Sequence, residues 1–433
     1  MKNLLASLLL LFGVPSFAQN GLLVPGKPAT QSILIVGATI HLGNGQKIEE
    51  GAVGFRNGKI DFVASALGVD RTKYDVVLEK PGQHVYPGFI APNSTLGLTE
   101  IDAVRATLDF EEVGDYKPCV RTLVAFNTES EIIPTVRSNG VLICQTTPRG
   151  GVIAGTSSVV HLDGWNWEDA VIRTDDGIHL IWPRVQGRKH EHGRTTIQKL
   201  PEYDAQLREL RGWMHKAKAY AAVEKPTLTD VNLEAMRGLF DGSKTLYVNA
   251  DQFNQIAEAI NLKKELVIPK MVLVGGYDAV IAADLLKDNN VPVMVQRIHS
   301  LPDHDEDALD LPYRLPAMLK EKNVLFCLQN HGDQEASHTR NLPFLAGTAV
   351  AHGLAYEEAV AAITLNAAKI LGIDKNYGSL EKGKSATIFV SEGDALNMAT
   401  NKVTAAWIDG RPVDVDNRQE QLYRKYKGKY QGN

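Results

Sequence analysis

From Thr245 to Gly372, apolar strand-like runs alternate with helical stripes, a pattern that demands a parallel sheet covered by helices. Thr245-Leu246-Tyr247-Val248-Asn249-Ala250 reads as a buried strand, Asp251 as a helix N-cap, and Phe253, Ile256 and Ile260 as the inward stripe of the helix that follows. Lys270 to Val274 is the next strand, Val280, Ala283 and Leu286 the next stripe, and Val291 to Val295 and Val324 to Leu328 are two further strands. A last helix, Glu357 to Leu371, carries Val360, Ile363, Ala367 and Ile370 at helical spacing and stops at Gly372. The chain of 433 residues is long enough for a (β/α)8 barrel, which needs about 250.

Both ends read differently. After Val24-Pro25-Gly26-Lys27-Pro28, the stretch Ser32 to Leu78 alternates β-branched runs with turns: Ile33 to Val36 ends at Gly37, and Asn44-Gly45 and Asn57-Gly58 are hairpin dipeptides. A small antiparallel unit is predicted there. The same texture returns in Ala386 to Val390, Val403 to Ile408, the turn Asp409-Gly410 and Pro412-Val413. Each end alone would leave a half-buried sheet unpaired, so residues 32–85 and 377–414 are expected to form one composite β-sandwich. The expected organisation is 1–18 a signal peptide, 19–85 the first part of the sandwich, 86–376 the barrel, 377–414 the second part, and 415–433 a tail. Arg418 to Lys429 reads as a solvated terminal helix.

Lys2 precedes an apolar run from Leu4 to Val14, too short to span a bilayer, and Ser16-Phe17-Ala18 has a small-x-small cleavage pattern. Residues 1–18 therefore read as a secretory signal peptide, and the expectation is an exported, periplasmic or extracellular protein without a membrane span. Acidic residues (51) outnumber basic ones (46) and no basic stripe appears, which argues against a nucleic-acid partner. Cys119, Cys144 and Cys327 have no short spacing between any two, so neither a zinc knuckle nor a disulfide framework is suggested. They read as small buried hydrophobes.

Three stretches, Val85 to Ile90, Glu358-Ala359 with Thr364 to Gly372, and Tyr377 to Ala386, resemble segments of the amidohydrolase superfamily. Val85-Tyr86-Pro87-Gly88-Phe89-Ile90 resembles the segment leading from the sandwich into the first barrel strand. Glu358-Ala359 with Thr364 to Gly372 resembles the last barrel helix, and Tyr377 to Ala386 the turn by which the chain returns to the sandwich. Gly150-Gly151-Val152-Ile153-Ala154-Gly155, Leu162-Asp163-Gly164-Trp165 and Asn341-Leu342-Pro343-Phe344 are similar to the imidazolonepropionase-like branch. The resemblance implies hydrolysis of carbon-nitrogen bonds in small, non-peptide, cyclic amide-type compounds, with one or two divalent metals such as zinc. Such a metal lowers the pKa of a bound water and polarises the scissile carbonyl while a carboxylate moves the proton, so ligands must converge at the C-terminal ends of the strands.

At the positions where the resemblance implies ligands, the residues depart from it. The His-x-His of the first strand is matched by Asn93-Ser94-Thr95, the fifth-strand histidine by Asn249, and the sixth-strand histidine by Gly275. The eighth strand ends in Gln329-Asn330 where an aspartate is implied, with Asp333 three residues on. Amides and hydroxyls bind Zn2+ far less well than imidazoles, so no metal is expected at the usual positions and no cofactor is assigned. Asn93, Thr95, Asn249, His299, Asn330 and Asp333 are expected to gather at the barrel mouth. The fourth-strand ligand is unplaced, and His161 near it has no assigned direction.

Other clusters offer alternatives. His190-Glu191-His192 has ligand-like spacing, but Arg188, Lys189 and Arg194 oppose a dication, which favours a solvated charged loop. His299, Asp303, His304, Asp305, Glu306 and Asp307 follow the seventh strand and belong on the catalytic face, where a cation or basic substrate competes with a simple exposed charge run. No Gly-x-Ser-x-Gly elbow occurs, and nothing pairs Cys144 or Cys327 with a base. The turn Arg149-Gly150-Gly151 offers N–H groups to an anion or is a structural glycine pair. Two functional classes stay open: a hydrolase of small amide-type compounds, and a catalytically silent paralogue that binds a small molecule, forms a homo-oligomer or supports an active amidohydrolase partner.

Overall fold

The computed structural model describes residues 24–191, 194–332 and 334–431. The expected signal peptide, His192 and Asp333 lie outside them.

The first strands are β1 (Ile33–His41), β2 (Lys47–Arg56), β3 (Lys59–Ser65), β4 (Val76–Glu79) and β5 (His84–Pro87). β1 runs through Gly37, which takes φ +84°, rather than ending there. The β2–β3 turn is the predicted Asn57-Gly58, both with positive φ (50° and 77°), the geometry of a tight primed turn. The unit is not purely antiparallel, because β4 and β5 both pair with β1 in parallel.

Next come β6 (Phe89–Ser94), β7 (Val141–Thr146), β8 (Ile153–His161) and β9 (Val171–Ile181), then an antiparallel arm of β10 (Gln186–Glu191) and β11 (Arg194–Lys199). β12 (Thr245–Ala250), β13 (Met271–Gly275), β14 (Val293–Val295) and β15 (Phe326–Leu328) follow with helices between them. Eight of these strands make one sheet in the order β15-β14-β13-β12-β9-β8-β7-β6, a barrel-like sheet that is nearly closed. β8 departs from the expected all-parallel pattern and runs antiparallel to both neighbours. The cause is the turn at Gly150 and Gly151, with φ +77° and +70°, which folds β8 straight back on β7. A Cβ at Gly151 would lie 2.7 Å from the Gly114 carbonyl oxygen, so only glycine fits there.

Strand alternation separates two apolar surfaces. Ile90, Ile143, Val159, Val272, Val274, Met294 and Cys327 pack with Ala367, Ala368, Ile370 and Leu371, so the last barrel helix closes one end of the barrel. Their neighbours Phe89, Ala91, Leu142 and Cys144 pack in the other cluster, with the helical layer. The expected helix Glu357 to Leu371 is two, Tyr356–Ala362 and Leu365–Leu371, broken at Ile363-Thr364. The break has a physical use: the Ile363 carbonyl accepts from Ile90 N–H of β6 at 2.9 Å, across the gap between β15 and β6. Gly372 takes φ +67° at the helix end, as predicted.

β16 (Ile388–Ser391), β17 (Val403–Ile408) and β18 (Arg411–Val413) return to the first unit, β16 pairing antiparallel with β5. Strands from both chain ends thus share one mixed sheet. His161 ends β8 and, because β8 is reversed, lies away from the mouth, 3.6 Å from Asp409 and edge-on to Tyr377. Arg418–Gln431 is the expected terminal helix. No described helix is long and apolar enough to cross a membrane.

Candidate functional site

The parallel strands end around a cavity of about 940 Å3 lined by, among others, Arg149, His179, Asn249, Asp251, Gly275 and Gln329. Above the apolar floor the inward positions turn polar, and Asn93 stands at the centre of what they build. Asn93 is buried with φ +52°, a conformation asparagine tolerates better than most residues. Its backbone carbonyl and its side-chain oxygen both serve Arg149, which follows β7 in the turn already described. Arg149 Nη2 donates to Asn93 O at 2.9 Å and to Glu335 Oε1 at 2.8 Å. Its Nη1 donates to Asn93 Oδ1 at 3.0 Å and to Pro148 O at 3.1 Å. All four terminal N–H groups of the guanidinium are therefore consumed inside the protein.

Glu335 completes an ion pair whose side chains are only 16% (Arg149) and 9% (Glu335) exposed. Burial by itself would raise the Glu335 carboxyl, but Arg149, His331 and Thr95 more than offset it and hold it at about 2. His331 Nδ1 is bonded to the second Glu335 oxygen, and Gly332 N–H donates to the same oxygen at 3.3 Å. Thr95 thus points to Glu335, and Asn93 Nδ2 reaches Gln329 Oε1 at 3.4 Å across the seam of the barrel.

A second buried network leads away from Asn93. Its N–H donates to Gln145 Oε1 at 3.0 Å, and Gln145 Nε2 donates to Asp176 Oδ2 at 2.9 Å. Asp176 also accepts from Ser157 Oγ (2.7 Å) and Tyr247 OH (2.6 Å). Burial pushes the Asp176 carboxyl up, while the Tyr247, Ser157 and Gln145 hydrogen bonds and nearby Arg173 pull it down. His179 stacks on Tyr247 with ring centroids 4.6 Å apart, its Nε2 2.9 Å from Ser157 Oγ and its Nδ1 buried without a partner. Burial, reinforced by Arg149, drives the imidazole well below its ordinary value, so it is neutral.

The residues expected at the mouth separate. Asn249 lines the cavity and donates to Leu180 O at 3.3 Å, Asn93 lies behind Arg149, and Thr95 serves Glu335. Asn330 is buried with Nδ2 unpartnered and does not line the cavity. His299 is exposed, its Nε2 2.7 Å from Thr348 Oγ1, because the loop after β14 turns it outward toward the helix Leu342–Ala351. Asp251 is not the N-cap; Gln252 is, with its N–H on Gln255 Oε1 at 3.1 Å, and Phe253 is 40% exposed rather than inward. Asp251 instead faces the cavity, where the surrounding wall and Asp303 raise its carboxyl even though it retains an exposed edge. Burial likewise raises the Cys144 thiol to about 12, and Cys327 further.

A divalent metal does not fit these residues. Asn93 spends its oxygen on a cation already present, and Asn249 faces the cavity only as an amide. A side chain at Gly275 is blocked twice, since its φ is +95° and a Cβ would lie 2.4 Å from Asp251 Oδ1. Among the described residues no group of three His, Cys, Asp or Glu side chains is arranged to hold an ion. The fourth barrel position, unplaced from sequence, is held by His179. Its signal was available as a histidine amid the apolar run Ile178, Leu180 and Ile181.

Residues 261–413 match the sequence profile of the Amidohydrolase family. No curated protein matches the chain in sequence. An amidohydrolase from Thermotoga maritima MSB8 superposes with a TM-score of 0.74 at 23% identity, over 88% of this chain and 99% of that one. A Xaa-Pro dipeptidase (TM-score 0.53, 13% identity, 88% and 100%) and molinate hydrolase (0.54, 14%, 90% and 96%) share the fold less closely. The profile match covers residues 261–413, and the superpositions show a shared fold over most of the chain.

Proposed function

We propose that this amidohydrolase-fold protein binds a small molecule in the barrel mouth and does not carry out the metal-dependent hydrolysis of its superfamily. The observation that carries this reading is Arg149, whose guanidinium is bonded to both oxygens of Asn93 at the first expected ligand position and neutralised by Glu335. A fixed cation stands beside that position, and with its terminal donors spent it is unable to polarise a substrate carbonyl as a Lewis acid does. The cavity of about 940 Å3 is in the size range of small-molecule sites.

The hydrolase reading, directed at cyclic amide-type carbon-nitrogen bonds, draws on the family profile over 261–413 and on the segments similar to the imidazolonepropionase-like branch. On the same resemblance, the mixed sheet from both chain ends corresponds to the composite β-sandwich, and support of an active partner subunit by an exported protein is part of the proposal. The test is a thermal-shift screen of small molecules in the presence of chelator, paired with ring-opening assays on cyclic amides with added zinc. Stabilising ligands without turnover support the binding reading. Zinc-dependent ring opening would replace it with the hydrolase.

A further inference from the structure

The helix Arg418–Gln431 stands apart from the barrel mouth and from whatever fills it. Its first turn is fastened to the body: Asn417 Oδ1 accepts from Glu420 N–H at 3.0 Å, and Gln419 Oε1 accepts from Thr135 Oγ1 at 2.9 Å. From Arg418 to Lys427 every residue is exposed, so the described fold buries none of these side chains. An isolated helix of this length is marginal in water, and helices in proteins owe most of their stability to packing of one face. Leu422, Tyr423, Tyr426 and Tyr430 are 40%, 59%, 52% and 79% exposed. With 3.6 residues per turn these four fall within one arc of about 100°, with Lys429 at one edge and Lys427 at the other. Each tyrosine has an ammonium beside it: Lys427 Nζ lies 5.5 Å from the Tyr423 ring centroid, Lys425 Nζ 5.7 Å from that of Tyr426 and Lys429 Nζ 5.5 Å from that of Tyr430. Glu420 is the helix's one acid against Arg418, Arg424, Lys425, Lys427 and Lys429, in a chain whose net charge is -5. Of these cations only Arg424 is held by a carboxylate among the described residues, that of Asp416 at 2.6 Å.

We propose that this helix face is a docking surface for an anionic lipid bilayer, with the tyrosine rings at headgroup level and the lysine heads among the headgroup phosphates. Three features select that occupant. Positive charge concentrated on one element of an otherwise acidic chain demands a negative partner and opposes a second copy of the same helix. Tyrosine has an apolar ring and a polar tip, which suits a half-wet boundary, and it is enriched where membranes meet water. Lysines on both edges of an apolar strip keep their heads in the headgroup layer while their stems cover lipid, the arrangement of helices that lie in the interface. A protein groove would instead require a row of aliphatic anchors one turn apart, and Leu422 is the one aliphatic side chain of this helix. The contact is peripheral, since no described helix is long and apolar enough to cross a membrane.

The test is co-sedimentation of the full chain with vesicles of phosphatidylcholine alone or with about one-third phosphatidylglycerol, at about 0.15 M salt. The chain is expected to partition onto the anionic vesicles about tenfold or more strongly, and less so as salt is raised. Lys427→Glu combined with Lys429→Glu is expected to cut that partitioning about tenfold or more. Tyr426→Ser combined with Tyr430→Ser, which leaves the charge unchanged, is expected to cut it about tenfold. All four side chains are exposed, so both variants should melt with the unmodified protein. Equal partitioning onto the two kinds of vesicle, or none, would overturn the proposal without recourse to any variant. Anionic binding indifferent to the tyrosine pair would also overturn it, because the adhesion would then be simple charge attraction or the work of another part of the chain. Soluble polyglutamate bound as tightly as the anionic vesicles would assign the face to an acidic polypeptide instead. Variants that change the oligomeric state in lipid-free solution and leave partitioning alone would assign it to a second copy.

Discussion

Arg149→Met removes the cation while keeping most of the side-chain volume, and it isolates what the guanidinium contributes. The variant forfeits four hydrogen bonds and leaves Asn93 O, Asn93 Oδ1 and Pro148 O without their donor. It also strands the Glu335 carboxylate, 9% exposed, with only His331 and the flanking donors near it. Breaking a buried pair from one side costs about 3–5 kcal/mol, against less than about 1 kcal/mol for a surface ion pair. Denaturant unfolding followed by near-ultraviolet circular dichroism should therefore show a loss in the first range. Glu335→Gln should show a comparable loss, and the double variant should lose much less than the sum, because the second substitution removes the stranded charge. A loss below about 1 kcal/mol with additive behaviour would mean that the pair is a solvated contact, and the account of the filled mouth would fail.

The same pair gives an acid signature. Glu335 is held at about 2 in the fold against an ordinary 4.5, so its contribution is full above pH 4.5 and is lost as the pH falls toward 2. It is of the order of 3 kcal/mol, and Glu335→Gln should flatten stability across that window; an unchanged acid limb would contradict it. His161 acts with opposite chemistry and the same sign. Burial, helped by Arg411 and opposed by Asp409, holds its imidazole below the ordinary 6.5, so the unfolded chain takes up the proton first and stability declines as the pH drops below 6.5. Melting temperatures of His161→Gln should be less sensitive to pH there, and an identical slope would remove His161 as the cause. Gly275→Ala should cost about 1–3 kcal/mol through its positive φ and the approach to Asp251, whereas a neutral result in thermal melts would reopen that position to a ligand side chain.

The barrel was legible where strand and helix alternate plainly, as in Thr245–Ala250 and the buried helix residues Ala283 and Leu286, although Val280, expected in the same stripe, lies in the turn before that helix. The reversed β8 was not, because a strand buried along its whole length carries no mark of direction; only the paired glycines at 150 and 151 hinted at a hairpin. The helix break at Ile363-Thr364 was hidden for a related reason. Ile363 keeps its place in the helical stripe and is fully buried, while its carbonyl is diverted to a partner more than 270 residues away in the chain, Ile90. At the mouth, the departures at Asn93, Asn249 and Gly275 could be read residue by residue. The network around them could not, since Arg149, Glu335, Asp176 and His179 come from separate elements and share no spacing. His299 shows the converse error: its place after a barrel strand was right, but a loop residue's direction depends on contacts such as Thr348 that sequence does not announce.

The central claim, that an internal ion pair rather than a metal fills the barrel mouth, is tested most directly by elemental analysis of protein purified after expression in zinc-supplemented medium, with melting temperatures recorded before and after chelation. The account predicts well under one equivalent of divalent metal and an unchanged melting temperature, because no metal-binding energy is linked to the fold. Stoichiometric metal at the barrel mouth, with a melting temperature that drops on chelation, would contradict it.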